Sequence, residues 1–350
     1  MFSFVVFAFD LVGTGSTTNC PNRQAIEQSL NKVHIPGALI VVVNGTNILY
    51  EQDFGSQSLL PLKPMHADQS IFVLASISKT FITVVVMQLV EKKLIDLDTD
   101  INQYFPNSSN WLSRPPRNVT LYSNEGALLA ALVVECVAKI SYGQYLRENI
   151  FKSLNIYFRT VAVRLSDFQN TEELVKHYAY AVNESFIQQW NHEIPQFNCN
   201  LSTSLHFPLF SFSGYPAGLL RMSTISLSMF LRMFINNGYP LHSSQSIAEM
   251  KQVVGGGLIR LYELAWHWRT LSNTRLYLGH GGSLPGMIHL MLTNEMNNTG
   301  VIVLTNTDTT APIDLTREIY ETVESIHLTL FQCFEIRFIV FKEDQIKTDT

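Results

Sequence analysis

The run Ala38-Leu39-Ile40-Val41-Val42-Val43 sets the strongest limit on what this chain can fold into. A strand with one face in water alternates apolar and polar residues, whereas an unbroken apolar run suits a strand covered on both faces. Asn44-Gly45, directly after it, is a hairpin turn signal. The return strand is expected over Asn47–Phe54, ending at Gly55. Four more β-like runs lie in the last third of the chain: Leu264–Trp268, Arg275–Leu278, Met287–Leu292 and Gly300–Thr305. Between these ends the periodicity is mostly helical. Helices are expected over 21–33, from Ser76 to about Lys93, in a shorter stretch after Asp98 that ends near Phe105, and over Gly126–Lys139, Ser141–Phe151, Ser223–Asn236, Ser246–Val253 and Ala311–His327. Residues 56–70 and 107–120 read as loops, and 152–210 as loops and edge structure. The expected class is α/β of the α+β type: an antiparallel sheet built jointly by the N- and C-terminal segments, flanking helices and an inserted helical lobe. The sheet lobe is placed at about 21–65 and 255–327, the helical lobe at about 66–254, and residues 328–350 form a tail of unassigned structure.

Hydrophobic residues make up 46% of the 350 and charged residues 15%, which describes a globular chain with a large core. A net charge of −5 and the absence of any Lys/Arg-rich run argue against a nucleic-acid surface. No uninterrupted apolar stretch has the length of a membrane span. His192-Glu193 is not followed by a histidine at metalloprotease spacing, so no metal or other cofactor is implied.

Cys20, Cys136, Cys199 and Cys333 are far apart, and their pairing is open. Cys136, in an apolar helical pattern, is expected to be a buried free thiol. Residues 1–20 resemble a degenerate signal segment, apolar over Phe2–Phe9 but without a basic start and interrupted by Asp10. Sequons begin at Asn44, Asn107, Asn118, Asn183, Asn200 and Asn297. Together these features point to a secreted or lumenal glycoprotein.

Ser76-Ile77-Ser78-Lys79 opens the most apolar of the expected helices. Positions i and i+3 share a helix face, so Lys79 can reach the Ser76 hydroxyl. A serine needs a neighbouring base to become a nucleophile, and an apolar setting shifts a lysine towards its neutral, basic form. The four residues alone favour a plainer reading, a helix-capping serine followed by a solvated lysine. Farther along, Tyr122-Ser123-Asn124 opens the next helix, with Ser123 or Asn124 as its cap, and His280-Gly281-Gly282-Ser283 lies on a β-like run.

In this order the motifs resemble those of penicillin-binding-protein-like serine hydrolases, close to class C β-lactamases and D-alanyl-D-alanine carboxypeptidases. The similarity covers about residues 24 to 322 and includes Pro216-Ala217-Gly218. His280-Gly281-Gly282 stands in place of the Lys-Thr-Gly of other members. The resemblance implies acyl transfer to Ser76 from an amide, ester or β-lactam in a small-molecule or peptide substrate. Lys79 and Tyr122 would move the proton, the phenol having its pKa lowered by nearby cations. Asn124 would hold a substrate amide, and His280 would supply a cationic or hydrogen-bonding group. Gly281 and Gly282 would let substrate approach the strand, and the N–H groups of Ser76 and Ser283 would form the oxyanion hole.

Two departures stand out. Only 46 residues separate Ser76 from Tyr122, fewer than is usual in the family, which questions the placement of Tyr122. Leu219 stands where a second glycine often follows Pro216-Ala217-Gly218. The short interval motivates an alternative, a catalytically inactive member serving as a binding or structural module. Substrate identity and oligomeric state are not written in these residues.

Overall fold

The computed structural model describes residues 20–106, 122–181, 203–252, 264–294, 298–307 and 313–335, with isolated positions 183–185, 188, 192, 201 and 296. The signal-like segment before Cys20, the interval 107–121, most of the tail, and the sequons at Asn107, Asn118, Asn200 and Asn297 lie outside the described residues.

The apolar run becomes β1 (Gly37–Val43), every residue of which is buried. It pairs antiparallel with β2 (Ile48–Leu59) on one side and β12 (Gly300–Thr305) on the other. β3 (Leu62–Pro64), β9 (His267–Thr270), β10 (Leu276–Leu284) and β11 (Met287–Asn294) complete one sheet in the order β3-β2-β1-β12-β11-β10-β9. N- and C-terminal strands thus meet at the centre, as the sequence implies.

Residues alternate faces along these strands, which separates two cores. Leu39, Val41, Leu278, Met291 and Leu304 face α2 (Ser78–Glu91) and α5 (Thr224–Ile235). Ile40, Val42, Tyr277, Ile288 and Leu290 face α1 (Arg23–Lys32) and the long helix α7 (Ile313–Phe334). The rest of the helical side is built from α3 (Asn124–Ala138), α4 (Tyr142–Tyr145, continuing as a π-helical turn to Phe151) and α6 (Ser244–Met250). There β8 (Arg221–Ser223) lies between β4 (Ile71–Val73) and β5 (Val161–Ala162), and β6 (His177–Tyr180) pairs with β7 (Ser204–Phe207). No single helix among the described residues is long and apolar enough to cross a membrane.

Several local expectations are corrected. β2 does not end at Gly55. A Cβ there would lie 2.1 Å from Pro36 O, and at φ +62° the glycine turns the strand past that carbonyl and lets it run on to Leu59. The first of the four C-terminal runs begins later than expected, because Trp266 turns inward and stacks on Phe234 with ring centroids 3.7 Å apart. Of the helix expected after Asp98, only a 3₁₀ turn forms, Ile101–Tyr104. Cys136 on α3, expected to be buried, is a free thiol that is only half-buried, and Leu132 on the same helix is exposed. α7 runs on to Phe334, taking in residues assigned to the tail, because Leu330 and Phe331 continue its buried stripe. Within the last turn of α7, Cys333 is joined by a disulfide to Cys20, ahead of α1.

Candidate active site

Ser76 sits in a 3₁₀ turn, Ala75–Ile77, that leads directly into α2. β4 delivers the chain to this turn, and Leu74 N–H donates to Leu220 O at 2.8 Å to hold it beside β8. Ala75 has φ +47°, a left-handed conformation that costs a non-glycine residue on the order of 1 kcal/mol or more. The surroundings enforce it. Ala75 is fully buried against Val73, Leu219 and Met287, so the side chain of Leu219 fills this small core where the resemblance expects glycine.

His289 fixes the turn to the main sheet. Its Nδ1 accepts from Thr305 N–H at 3.2 Å, which places the proton on Nε2, and Nε2–H donates to Val73 O at 2.8 Å. Burial lowers the His289 pKa to about 4, so the ring is a neutral strut. Sequence reasoning passed over it. The available signal was a histidine in the middle of an apolar strand, since a buried polar group requires partners.

The short interval does not displace Tyr122. Its Oη lies 2.7 Å from Ser76 Oγ. Lys79 Nζ donates to Ser76 Oγ at 2.9 Å and to Ala217 O at 2.8 Å, and it lies 4.9 Å from the centroid of the Tyr122 ring. The Pro216-Ala217-Gly218 motif thus supplies a backbone acceptor that aims the lysine, a role that residue identity alone cannot reveal.

The electrostatics differ from those expected. Lys79 is 2% exposed, and burial lowers its pKa from 10.5 to about 8, opposed by the carboxylate of Glu125. Tyr122 moves the other way: desolvation raises its pKa, opposed by the hydrogen bond with Ser76. The expected lowering by neighbouring cations is therefore overturned. Lys79 is the group closer to its deprotonated form at neutral pH, and the phenol keeps its proton.

His280 projects from β10 with 3% exposure. Its Nδ1–H donates to Gly281 O, leaving Nε2 a buried acceptor with no partner among the described residues. Burial, together with the nearby His267, lowers its pKa to about 3. It is a neutral hydrogen-bonding group and not the cation that the resemblance allowed. The two glycines also separate. A Cβ at Gly282 would lie 2.5 Å from Leu74 O, so this glycine admits the turn that carries Ser76. A Cβ at Gly281 would meet nothing closer than 3.6 Å.

Ser123 is the cap of α3, its Oγ accepting from Gly126 N–H at 2.9 Å. This frees Asn124, the first helical residue, which is exposed at the cleft together with Glu125. The cleft, about 710 Å³, collects all the sequence-predicted groups except Lys79, which lies beneath its floor. Ser283 is exposed there, and Phe212, Leu128 and Leu284 form an apolar wall. A serine hydroxyl met by an amine with a lowered pKa and by a protonated phenol, beside an open cleft, is an arrangement that can carry acyl transfer.

The sequence model of the Beta-lactamase family matches residues 22–111 and 108–323. Protein flp of Staphylococcus aureus (strain N315) is 21% identical over 333 residues, covering 80% of this chain and 61% of its own length. The chain therefore spans less than two thirds of that relative. Among solved structures, D-amino acid amidase from Ochrobactrum anthropi SV3 aligns with a TM-score of 0.72 at 17% identity, over 88% of this chain and 99% of its own. D-alanine carboxypeptidase AmpC from Burkholderia cenocepacia aligns with a TM-score of 0.63 at 12% identity, over 87% and 98%. These two likenesses are of fold.

Proposed function

The chain belongs to the beta-lactamase family, and from that premise we propose that it is a serine hydrolase working through an acyl-enzyme on Ser76. The observation that carries this reading is the convergence of Lys79 Nζ and Tyr122 Oη on one hydroxyl, at 2.9 and 2.7 Å. Neutral Lys79 takes the Ser76 proton as Oγ attacks an ester, amide or lactam carbonyl carbon. The tetrahedral oxyanion is held by the N–H groups of Ser76 and Ser283, the kind of donor pair worth about 10²–10³ in rate per donor. The leaving group receives a proton from Tyr122, which is replenished from protonated Lys79. Water then attacks the acyl-enzyme with the proton path reversed. Asn124 and neutral His280 orient the substrate's polar groups.

A fluorophosphonate probe tests the reading. It is expected to add one adduct mapping to Ser76, and Ser76→Ala is expected to lose both the adduct and ester turnover while keeping the melting temperature. Folded wild-type protein that neither labels nor hydrolyses any ester would instead establish the alternative, a member that binds without turnover.

We also propose a secreted or lumenal location. The Cys20–Cys333 disulfide supports it, since such bonds persist in oxidising compartments. So does the sequon at Asn44, which lies in the β1–β2 turn, where Thr46 Oγ1 donates to Asn44 Oδ1 at 3.2 Å. Chain recovered from cells in reduced form and without glycan refutes this location.

A further inference from the structure

The cleft passes round an edge of the sheet. Ser76, His280 and His289 line it from the helical side, whereas Ile288, Leu290 and Val323 line it from the side of α7. Successive residues of a strand point to opposite faces, so one cavity touching His289 together with Ile288 and Leu290 has to go round the strand edge. The passage is where β9 stops. Its last pair with β10 is Gly279↔His267, and among the described residues no strand pairs with the outer edge of β10 from His280 to Leu284.

Gly281 stands at this passage and points towards α7. The atoms nearest to a Cβ there would be His289 O at 3.6 Å and Arg269 Nη2 and Leu290 Cδ1 at 3.9 Å, ordinary contact distances, so the glycine leaves room for a group of about methyl size. Behind it the lining is hydrocarbon, chiefly Leu290 at 5% exposure, with Ile288 and Val323 closed beneath it at 0% and 1%. Tyr320, 46% exposed, forms the outer wall. The rim carries one charge of each sign, Arg269 and Glu324, and Glu324 Oε1 already accepts Ser272 N–H at 2.7 Å. Opposite charges at the rim leave the apolar floor as the selecting surface.

We propose that this notch is a second substrate subsite, taking an uncharged hydrocarbon chain of the molecule whose carbonyl is attacked by Ser76. The inference rests on the acyl-transfer reading above and names the substrate class: esters or amides bearing an apolar chain that bends round Gly281. Each methylene seated on such a floor multiplies binding about fourfold when fully buried.

Two series of esters test it. p-Nitrophenyl acetate, butyrate and octanoate lengthen the acyl side, and S-ethyl and S-hexyl thioacetate lengthen the leaving side. kcat/KM is expected to rise about tenfold or more along one series, the responsive series showing which end enters the notch. Tyr320→Ala, at an exposed position, is expected to remove most of that gain while leaving p-nitrophenyl acetate turnover unchanged. Gly281→Val, which plugs the passage, is expected to lower the ratio of long-chain to short-chain turnover at least fivefold. If the acetates are hydrolysed and neither series gains with length, or if Tyr320→Ala and Gly281→Val both leave the gain intact, the notch is not a subsite. If no ester shows Ser76-dependent turnover, the acyl-transfer reading itself fails and the subsite with it.

Discussion

Lys79 and Tyr122 both reach Ser76, and a pH–rate profile distinguishes which of them is the base. With a Lys79 pKa of about 8, roughly a tenth of the molecules carry the neutral amine at pH 7 and roughly a hundredth at pH 6. For a neutral ester, kcat/KM is therefore expected to climb about tenfold per pH unit up to a midpoint near 8 and then level off. A phenolate base would place the midpoint above 10, since burial raises the Tyr122 pKa from 10.0. Glu125 supplies a second lever. Its carboxylate favours protonated Lys79, so Glu125→Gln is expected to move the midpoint down and make ester turnover faster at pH 7. Glu125 is fully exposed, so the shift should shrink as salt rises. Stopped-flow hydrolysis of p-nitrophenyl acetate between pH 5.5 and 10.5 (an assay range set by about two units either side of the midpoint) measures all three. A midpoint above 10, or a Glu125→Gln midpoint that stays or rises, refutes the lysine-base argument. The same displaced pKa has a stability consequence. Between about 8 and 10.5 the unfolded chain holds a proton on Lys79 that the folded chain has released, so stability rises with pH across this window. Below it, keeping the buried amine charged costs the fold on the order of 3 kcal/mol. Lys79→Met is accordingly expected to be more stable than wild type at pH 7, by urea denaturation, while losing activity.

Tyr122→Phe is expected to slow turnover about 10²-fold or more with little change in melting temperature, because it removes a proton carrier from a residue at the cleft surface. The glycine pair separates by crowding: Gly282→Ala should cost about 1–3 kcal/mol and most of the activity by pushing on Leu74 O, while Gly281→Ala should be close to neutral in stability, as differential scanning calorimetry and ester assays can show. His289→Leu leaves Val73 O and Thr305 N–H without their partner and is expected to cost about 2–4 kcal/mol in urea unfolding, with loss of Ser76 labelling as the nucleophile turn loosens.

The sheet was legible because its central strands are unbroken apolar runs, and only a covered strand uses such a run economically. The Ser76–Lys79 pair was legible because i,i+3 spacing is local, and Tyr122, Asn124 and His280 because their order resembles a family's. What stayed hidden depends on burial and on backbone atoms. Nothing in the residues around His280 announces that it is enclosed, so its neutral state emerges only from packing. The Tyr122 phenol departs from expectation for the same reason: desolvation outweighs its hydrogen bond with Ser76. Ala217 contributes through its carbonyl, which every residue type carries. Gly281 and Gly282 are identical in sequence, and the pleat that sends one towards α7 and the other towards Leu74 gives them different duties.

The Cys20–Cys333 bond closes the described fold into a covalent ring, its cysteines 313 positions apart in sequence. A protease that cuts once anywhere inside that ring opens it without releasing a fragment, so a nicked molecule migrates as one species until it is reduced. The strands most in need of holding, β1 and β12, come from opposite arms of such a cut and meet along six residue pairs. With the ring intact, separated arms stay tethered and their re-pairing remains an intramolecular event, independent of protein concentration. Reduction turns the same nick into a two-chain assembly whose survival depends on dilution.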